Sequence, residues 1–205
     1  MRLLPWFVAA VFVANGSTDV ARSSNAGTSI AVLAIPGSLS TQTTPATRQL
    51  AERVGKELQA AGFHVVYAGI HAPVPLEELN AIANASGADL ALGVRSFGKA
   101  KRCPAVVAPQ LVPPPAQTSS ATPAELGALA KQLMASARSE ASARFVSVLA
   151  KDPEWCRPKP NGVESYVLQG VAAPAVLISV AVSDEGRVAN TIPGIVREWL
   201  TMEAK

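Results

Sequence analysis

The chain has 205 residues, 49% of them hydrophobic, 16% charged and 5% aromatic, with a formal net charge of +3. That much apolar material supports one domain with a real core and excludes a disordered chain. The positive excess is spread thinly apart from Lys99, Lys101 and Arg102, so it reads as a solvated surface and no nucleic-acid site is expected.

In chain order, Arg2 precedes an apolar run from Leu3 to Ala14, followed by Asn15, Gly16 and Ser17. A short positive region, an apolar stretch and small residues at its end describe a secretory signal peptide over residues 1–16, with Ala14 and Gly16 as the small residues of a cleavage site. The run falls short of the roughly 20 residues of a membrane helix, so no stable transmembrane span is expected after cleavage. An uncleaved anchor is the alternative. The expected destination is outside the cytoplasm, periplasmic or extracellular. Residues 17–28 read as a polar linker and 29–205 as one domain.

Ser29–Ile35 is a continuous apolar run ending in Pro36-Gly37, the pattern of a buried strand. Ala46–Ala61 places Leu50, Val54 and Leu58 on one helical face, with Gly62 as a stop. Phe63–Ala68 reads as a second strand, Leu76–Ser86 as a helix with Glu77 and Glu78 outward, and Asp89–Val94 as a third strand. Pro104–Ala108 suits a fourth strand. Residues 109–123, with Pro113-Pro114-Pro115, make an exposed Pro-rich loop that cannot pair in a sheet. Ala124–Leu149 is a long helix, Tyr166–Leu168 and Ala175–Val182 are two more strands, and Ile192, Ile195, Val196 and Trp199 belong to a closing helix. Helices alternating with strands imply an α/β three-layer sandwich, its central sheet mostly parallel and of about six strands, with right-handed crossovers.

Cys103 and Cys156 lie far apart, without a CxxC or a His/Cys cluster. In an oxidising compartment two such cysteines form a disulfide or stay as two free thiols, and both readings stand.

The segment from Leu76 to Leu90, with Leu76-Glu77-Glu78, Ala83-Asn84 and Ala88-Asp89, resembles a helix and following strand of the zinc-dependent N-acetylmuramoyl-L-alanine amidases. Ile35-Pro36-Gly37 resembles that family's turn after the first strand, and Gly62-Phe63-His64-Val65 its second strand. Tyr166-Val167-Leu168 and Pro174-Ala175-Val176-Leu177 resemble its final strands. The resemblance runs from about Ser29 to Leu200. It implies metal-assisted hydrolysis of the amide between N-acetylmuramic acid and L-alanine, with two His and one Glu on zinc and a second Glu moving protons.

Those groups are missing at the matching positions. Ser38 stands where the first His follows Pro-Gly, about Thr43 where the carboxylate ligand falls, Arg95 at the second His and Ser179 at the catalytic Glu. No Asp or Glu occurs from Ser23 to Leu50, and the family's two Arg positions hold Gly69 and Leu79. The zinc expected from the family is therefore expected to be lost, leaving no catalytic or metal-binding residue. Arg95 would repel a divalent cation. It would either bind an anion such as a stem-peptide carboxylate or carry its charge into solvent at a strand end. His64 and His71, seven positions apart, cannot share one face of a strand. A serine hydrolase on Ser38 or Ser179 would lack a base, so both read as small polar fillers.

The resemblance with an emptied site implies a pseudoenzyme that binds peptidoglycan or regulates a cell-wall enzyme. An active hydrolase with a rebuilt site and a structural envelope component acting through the Pro-rich loop are the alternatives.

Overall fold

The computed structural model describes residues 27–37, 43–72, 74–97, 104–107, 123–153, 155, 168 and 170–204, with backbone alone for 105–107 and 123–133. The elements are β1 (Ser29–Ala34), α1 (Pro45–Ala60), β2 (His64–Ala68), α2 (Leu76–Ala85), β3 (Leu90–Phe97), β4 (Ala105–Val107), α3 (Pro123–Leu149), β5 (Ala175–Ala181) and α4 (Glu185–Glu203), with a 3₁₀ turn over Val182–Asp184 before α4. Among the described residues the strands form one sheet in the order β2-β1-β3-β5-β4. The first four are parallel and β4 runs antiparallel to β5. The expected α/β architecture with a mostly parallel sheet is what the chain adopts.

Strand alternation sorts the core into two layers. Ile30, Val32 and Ala34 of β1, Leu90, Leu92 and Val94 of β3, and Val176, Ile178 and Val180 of β5 pack with α1, α3 and α4. The intervening residues Ala31, Leu33, Ala91, Ala175 and Leu177 meet Leu79 and Ala83 of α2 together with Leu168 and Val171. Both faces of β1, β3 and β5 are covered. That is why these strands read as unbroken apolar runs rather than alternating ones.

Local chemistry sets the element ends. Thr44 caps α1, its hydroxyl accepting from the Thr47 amide at 3.2 Å, and Pro45 fills the first helical position, where no amide bond is lost. After α1, Gly62 takes φ +91°, a conformation that lets the chain turn into β2. Leu50, Val54 and Leu58 are buried as their spacing predicts. Residue Pro123, counted with the Pro-rich loop by composition, is the first residue of α3.

Three expectations change. β3 continues past Val94 to Phe97 because β5 runs beside it, pairing Arg95 with Ser179, Ser96 with Val180 and Phe97 with Ala181. The polar pair Arg95-Ser96 hid this extension. The short β4 joins the sheet in the opposite sense to the rest. Leu168, expected in a strand, lies in a turn with its side chain in the α2-side core, 2% exposed. Tyr166, Val167, residues 1–16 expected as a signal peptide, most of the Pro-rich loop, Cys103 and Cys156 lie outside the described residues.

Candidate functional site

In a parallel α/β sheet the crevice outside the carboxyl ends of the strands opens where the chain reverses its direction of travel across the sheet. Here the chain goes from β1 outward to β2, then crosses back to β3 on the other side of β1. The switch point therefore lies between the carboxyl ends of β1 and β3. The Ile35 amide donates to the Val94 carbonyl at 2.9 Å and ties the two ends together. Thr43, 5% exposed, donates its hydroxyl to the Ala34 carbonyl at 3.5 Å.

Arg95 and Ser179 meet at these strand ends. They are register partners on β3 and β5, and Arg95 Nη2 donates to Ser179 Oγ at 3.0 Å. Alternation puts both on the α2 side of the sheet, continuing the rows that begin with Ala91 and with Ala175 and Leu177. Arg95 is 7% exposed and Ser179 2%. The guanidinium is therefore enclosed, and the expectation that it reaches solvent at the strand end gives way to a buried pair. The longer β3 is the cause, since it holds Arg95 within the ladder.

The opposite face of the same strand end carries a second polar chain. Ser96 donates its amide to Thr47 Oγ1 at 3.1 Å and its hydroxyl to Glu185 Oε1 at 2.5 Å. Thr44 Oγ1 donates to Thr47 Oγ1 at 3.0 Å. This chain joins the amino ends of α1 and α4 to the end of β3. It escaped the sequence reading because Thr44-Pro45-Ala46-Thr47 shows only a helix cap, and nothing in the pattern pairs Glu185 with Ser96. Beside Glu185 lies a groove of about 390 Å³ whose other lining residues are Gln49, Glu52, Arg53, Lys56 and Glu57. Lys56 bonds Glu52 at 2.7 Å; that hydrogen bond lowers the carboxyl's pKa and raises the ammonium's.

Of the four positions singled out by resemblance, the structure joins Arg95 and Ser179 and places Thr43 at the neighbouring strand end. Ser38 lies outside the described residues. His64 starts β2 at the far end of the sheet, its Nδ1 3.2 Å from Ser29 Oγ, and His71 is exposed beyond β2. Gly69 adopts φ +75° and Leu79 is fully buried, so neither occupies a position open to a long basic side chain.

The donor set around Arg95 does not fit zinc. That ion takes imidazole, thiolate and carboxylate ligands, whereas Thr43 and Ser179 offer hydroxyls and Arg95 a positive charge. Among the described residues no group of three or more His, Cys, Asp or Glu side chains is placed to hold a metal ion.

An α/β sandwich with a polar pair at the carboxyl ends of its parallel strands is the class these features define. Within it, the fold is that of the N-acetylmuramoyl-L-alanine amidases. The chain superposes on the catalytic domain of CwlV from Bacillus (Paenibacillus) polymyxa var. colistinus with a TM-score of 0.54 at 13% identity, covering 85% of this chain and 98% of that one. Ami1 from Mycobacterium smegmatis gives 0.53 at 12%, covering 88% and 100%. The CwlD amidase of Clostridioides difficile, solved in complex with the GerS lipoprotein, gives 0.51 at 12%, covering 85% and 99%. At these identities the likeness establishes the fold alone. No protein-family model and no curated protein matches the sequence.

Proposed function

We propose that this chain is an exported amidase-fold protein that binds peptidoglycan, or regulates an enzyme acting on it, without hydrolysing it. The observation that carries the reading is the buried Arg95–Ser179 pair at the carboxyl ends of β3 and β5, beside the switch point. Metal-assisted amide hydrolysis needs an ion with an open position and a group that moves protons. A guanidinium held between strands repels a divalent ion and does not exchange protons near neutral pH. Ser179 has only this guanidinium as its partner among the described residues, and that cation cannot serve as a general base.

Export is supported by Arg2 followed by the apolar run Leu3–Ala14. Among the described residues no helix is long and apolar enough to cross a membrane. The fold neighbours are amidases by name, two of them N-acetylmuramoyl-L-alanine amidases and one solved with a lipoprotein, which favours the cell wall or its enzymes as the setting.

Purified full-length protein, incubated with intact sacculi, is expected to sediment with them and to release no stem peptides. Its metal content after exposure to zinc is expected to fall well below one ion per chain. Stoichiometric zinc, or liberated stem peptides, would overturn the reading.

A further inference from the structure

We infer that the groove between α1 and the start of α4 is a site for a small zwitterion, the ammonium and carboxylate of an amino acid or of a short peptide, held between Arg53 and Glu185. The site is separate from the Arg95–Ser179 pair, because Glu185 bonds Ser96, on the opposite face of β3.

The groove encloses about 390 Å³, toward the lower end for small-ligand sites, and every side chain lining it is polar or charged. No aromatic ring lines it to stack on a sugar or an apolar ligand. Three carboxylates stand there against two cations, and their pairing is incomplete. Glu52 and Lys56, four apart on α1, satisfy each other at 2.7 Å. Arg53 and Glu57 have the same spacing, yet among the described residues neither side chain has a hydrogen-bond or ion-pair partner. Arg53 reaches toward α4 instead, with Nη1 3.4 Å from where a Cβ on Gly186 would stand. Glu185, next to that glycine, is held through Oε1 by the Ser96 hydroxyl at 2.5 Å. Its other oxygen has no partner among the described residues. A guanidinium and a carboxylate thus meet at the first turn of α4 without cancelling each other.

A simple anion satisfies Arg53 but is repelled by Glu57 and Glu185, and a simple cation satisfies those carboxylates but is repelled by Arg53. A molecule carrying both charges satisfies all of them. The planar fork of the guanidinium takes a carboxylate in two parallel N–H···O bonds. The positive end of α4 lies on the same side and favours that placement. An ammonium carries several N–H donors, enough to serve Glu185 and Glu57 together. Ser96, by occupying Oε1, keeps the Glu185 carboxylate from closing onto Arg53 and leaves both charges to the ligand.

The test is an amide NMR titration of the full-length protein, at constant ionic strength and slightly acid pH, with glycine, triglycine, acetate and glycinamide. Glycine is the amino-acid source of the zwitterion and triglycine the peptide source; acetate carries the negative charge alone and glycinamide the positive charge alone. At least one zwitterion is expected to shift amides of α1 and of the first turn of α4, and to bind about threefold or more tightly than either single-charge probe, as expected for one added exposed ion pair. The tighter of the two names the source. Arg53→Met, at an exposed position that leaves the core intact, is expected to cancel the advantage over glycinamide while keeping that over acetate. Glu185→Gln is expected to do the reverse, and Ser96→Ala to weaken zwitterion binding with every charge still present. Circular dichroism melting of each variant checks that it is folded. Acetate or glycinamide binding as tightly as both zwitterions would overturn the inference. So would a set of probes that leaves the α1 and α4 amides unmoved, or an advantage over glycinamide that survives in Arg53→Met.

Discussion

Gly69, just beyond β2, has φ +75°, a region that side chains with a Cβ rarely enter. A Cβ built there would lie 2.9 Å from Leu79 Cδ2 and 3.2 Å from the Ala34 carbonyl oxygen. The leucine end can shift, but the backbone carbonyl is fixed by the sheet. Gly69→Ala is therefore expected to destabilise the fold by about 1–3 kcal/mol. Urea unfolding would show a lower midpoint with an unchanged slope. An unchanged midpoint would mean that the turn relaxes freely. The same position shows the limit of reading residues by resemblance. The sequence told that a basic residue was absent at Gly69, but not that the backbone there requires glycine. Arg95 is the converse case. Its identity was legible and its enclosure was not, because burial depended on how far β5 continues alongside β3.

Among the elements, α3 and α4 are joined through both layers of their contact. Inside, Phe145 and Trp199 meet edge to face with ring centroids 6.0 Å apart, and Trp199 Nε1 donates to the Ala141 carbonyl at 3.0 Å. At the rim, Arg144 Nε and Nη2 grip Glu203 at 2.5 and 2.8 Å, and Lys151 bonds Glu198. The Arg144 hydrogen bond holds the Glu203 carboxyl below the ordinary carboxylate range, against a smaller opposing effect of burial. A carboxyl depressed in the folded state stabilises above its unfolded value, about 4.3, and that contribution fades as pH falls through the lower folded value. The stability difference between wild type and Glu203→Gln is therefore expected to be constant from neutral pH down to about 5 and to vanish in stronger acid. Urea unfolding at a series of pH values measures it, and a difference that persists at the acid end would contradict the assignment. The apolar periodicities of α1 and α4 and the stops at Gly62 and Gly87 were legible because each is local. The antiparallel sense of β4 and the true end of β3 were not, since both are fixed by partners distant in sequence.

At the scale of the molecule, the parallel sheet follows from the alternation of strands and helices, but the location of the polar pair needed the register of β3 against β5. The two layers flanking that sheet are unequal. On one side α4 alone buries Val188, Ala189, Ile192, Pro193, Ile195, Val196 and Trp199, and α1 adds Leu50, Ala51, Val54 and Leu58. On the other, the ten-residue α2 buries Leu79 and Ala83 and follows Pro75, which gives its first turn no side-chain cap. Its tether is Asn84, whose amide donates to the Gly170 carbonyl at 2.8 Å and accepts from the Ala172 amide at 2.6 Å. Exposed hydrogen bonds of this kind contribute about 1 kcal/mol each, far less than the apolar burial under α4. Regions with few buried contacts open at lower free energy than the core. The α2 layer is therefore expected to open as a unit while β1, β3 and α4 stay closed. Native-state hydrogen exchange should find α2 amides exchanging well before those of β1 and β3, with Leu79→Ala widening the gap. Equal protection of α2 and β3 would show instead that both layers unfold only together.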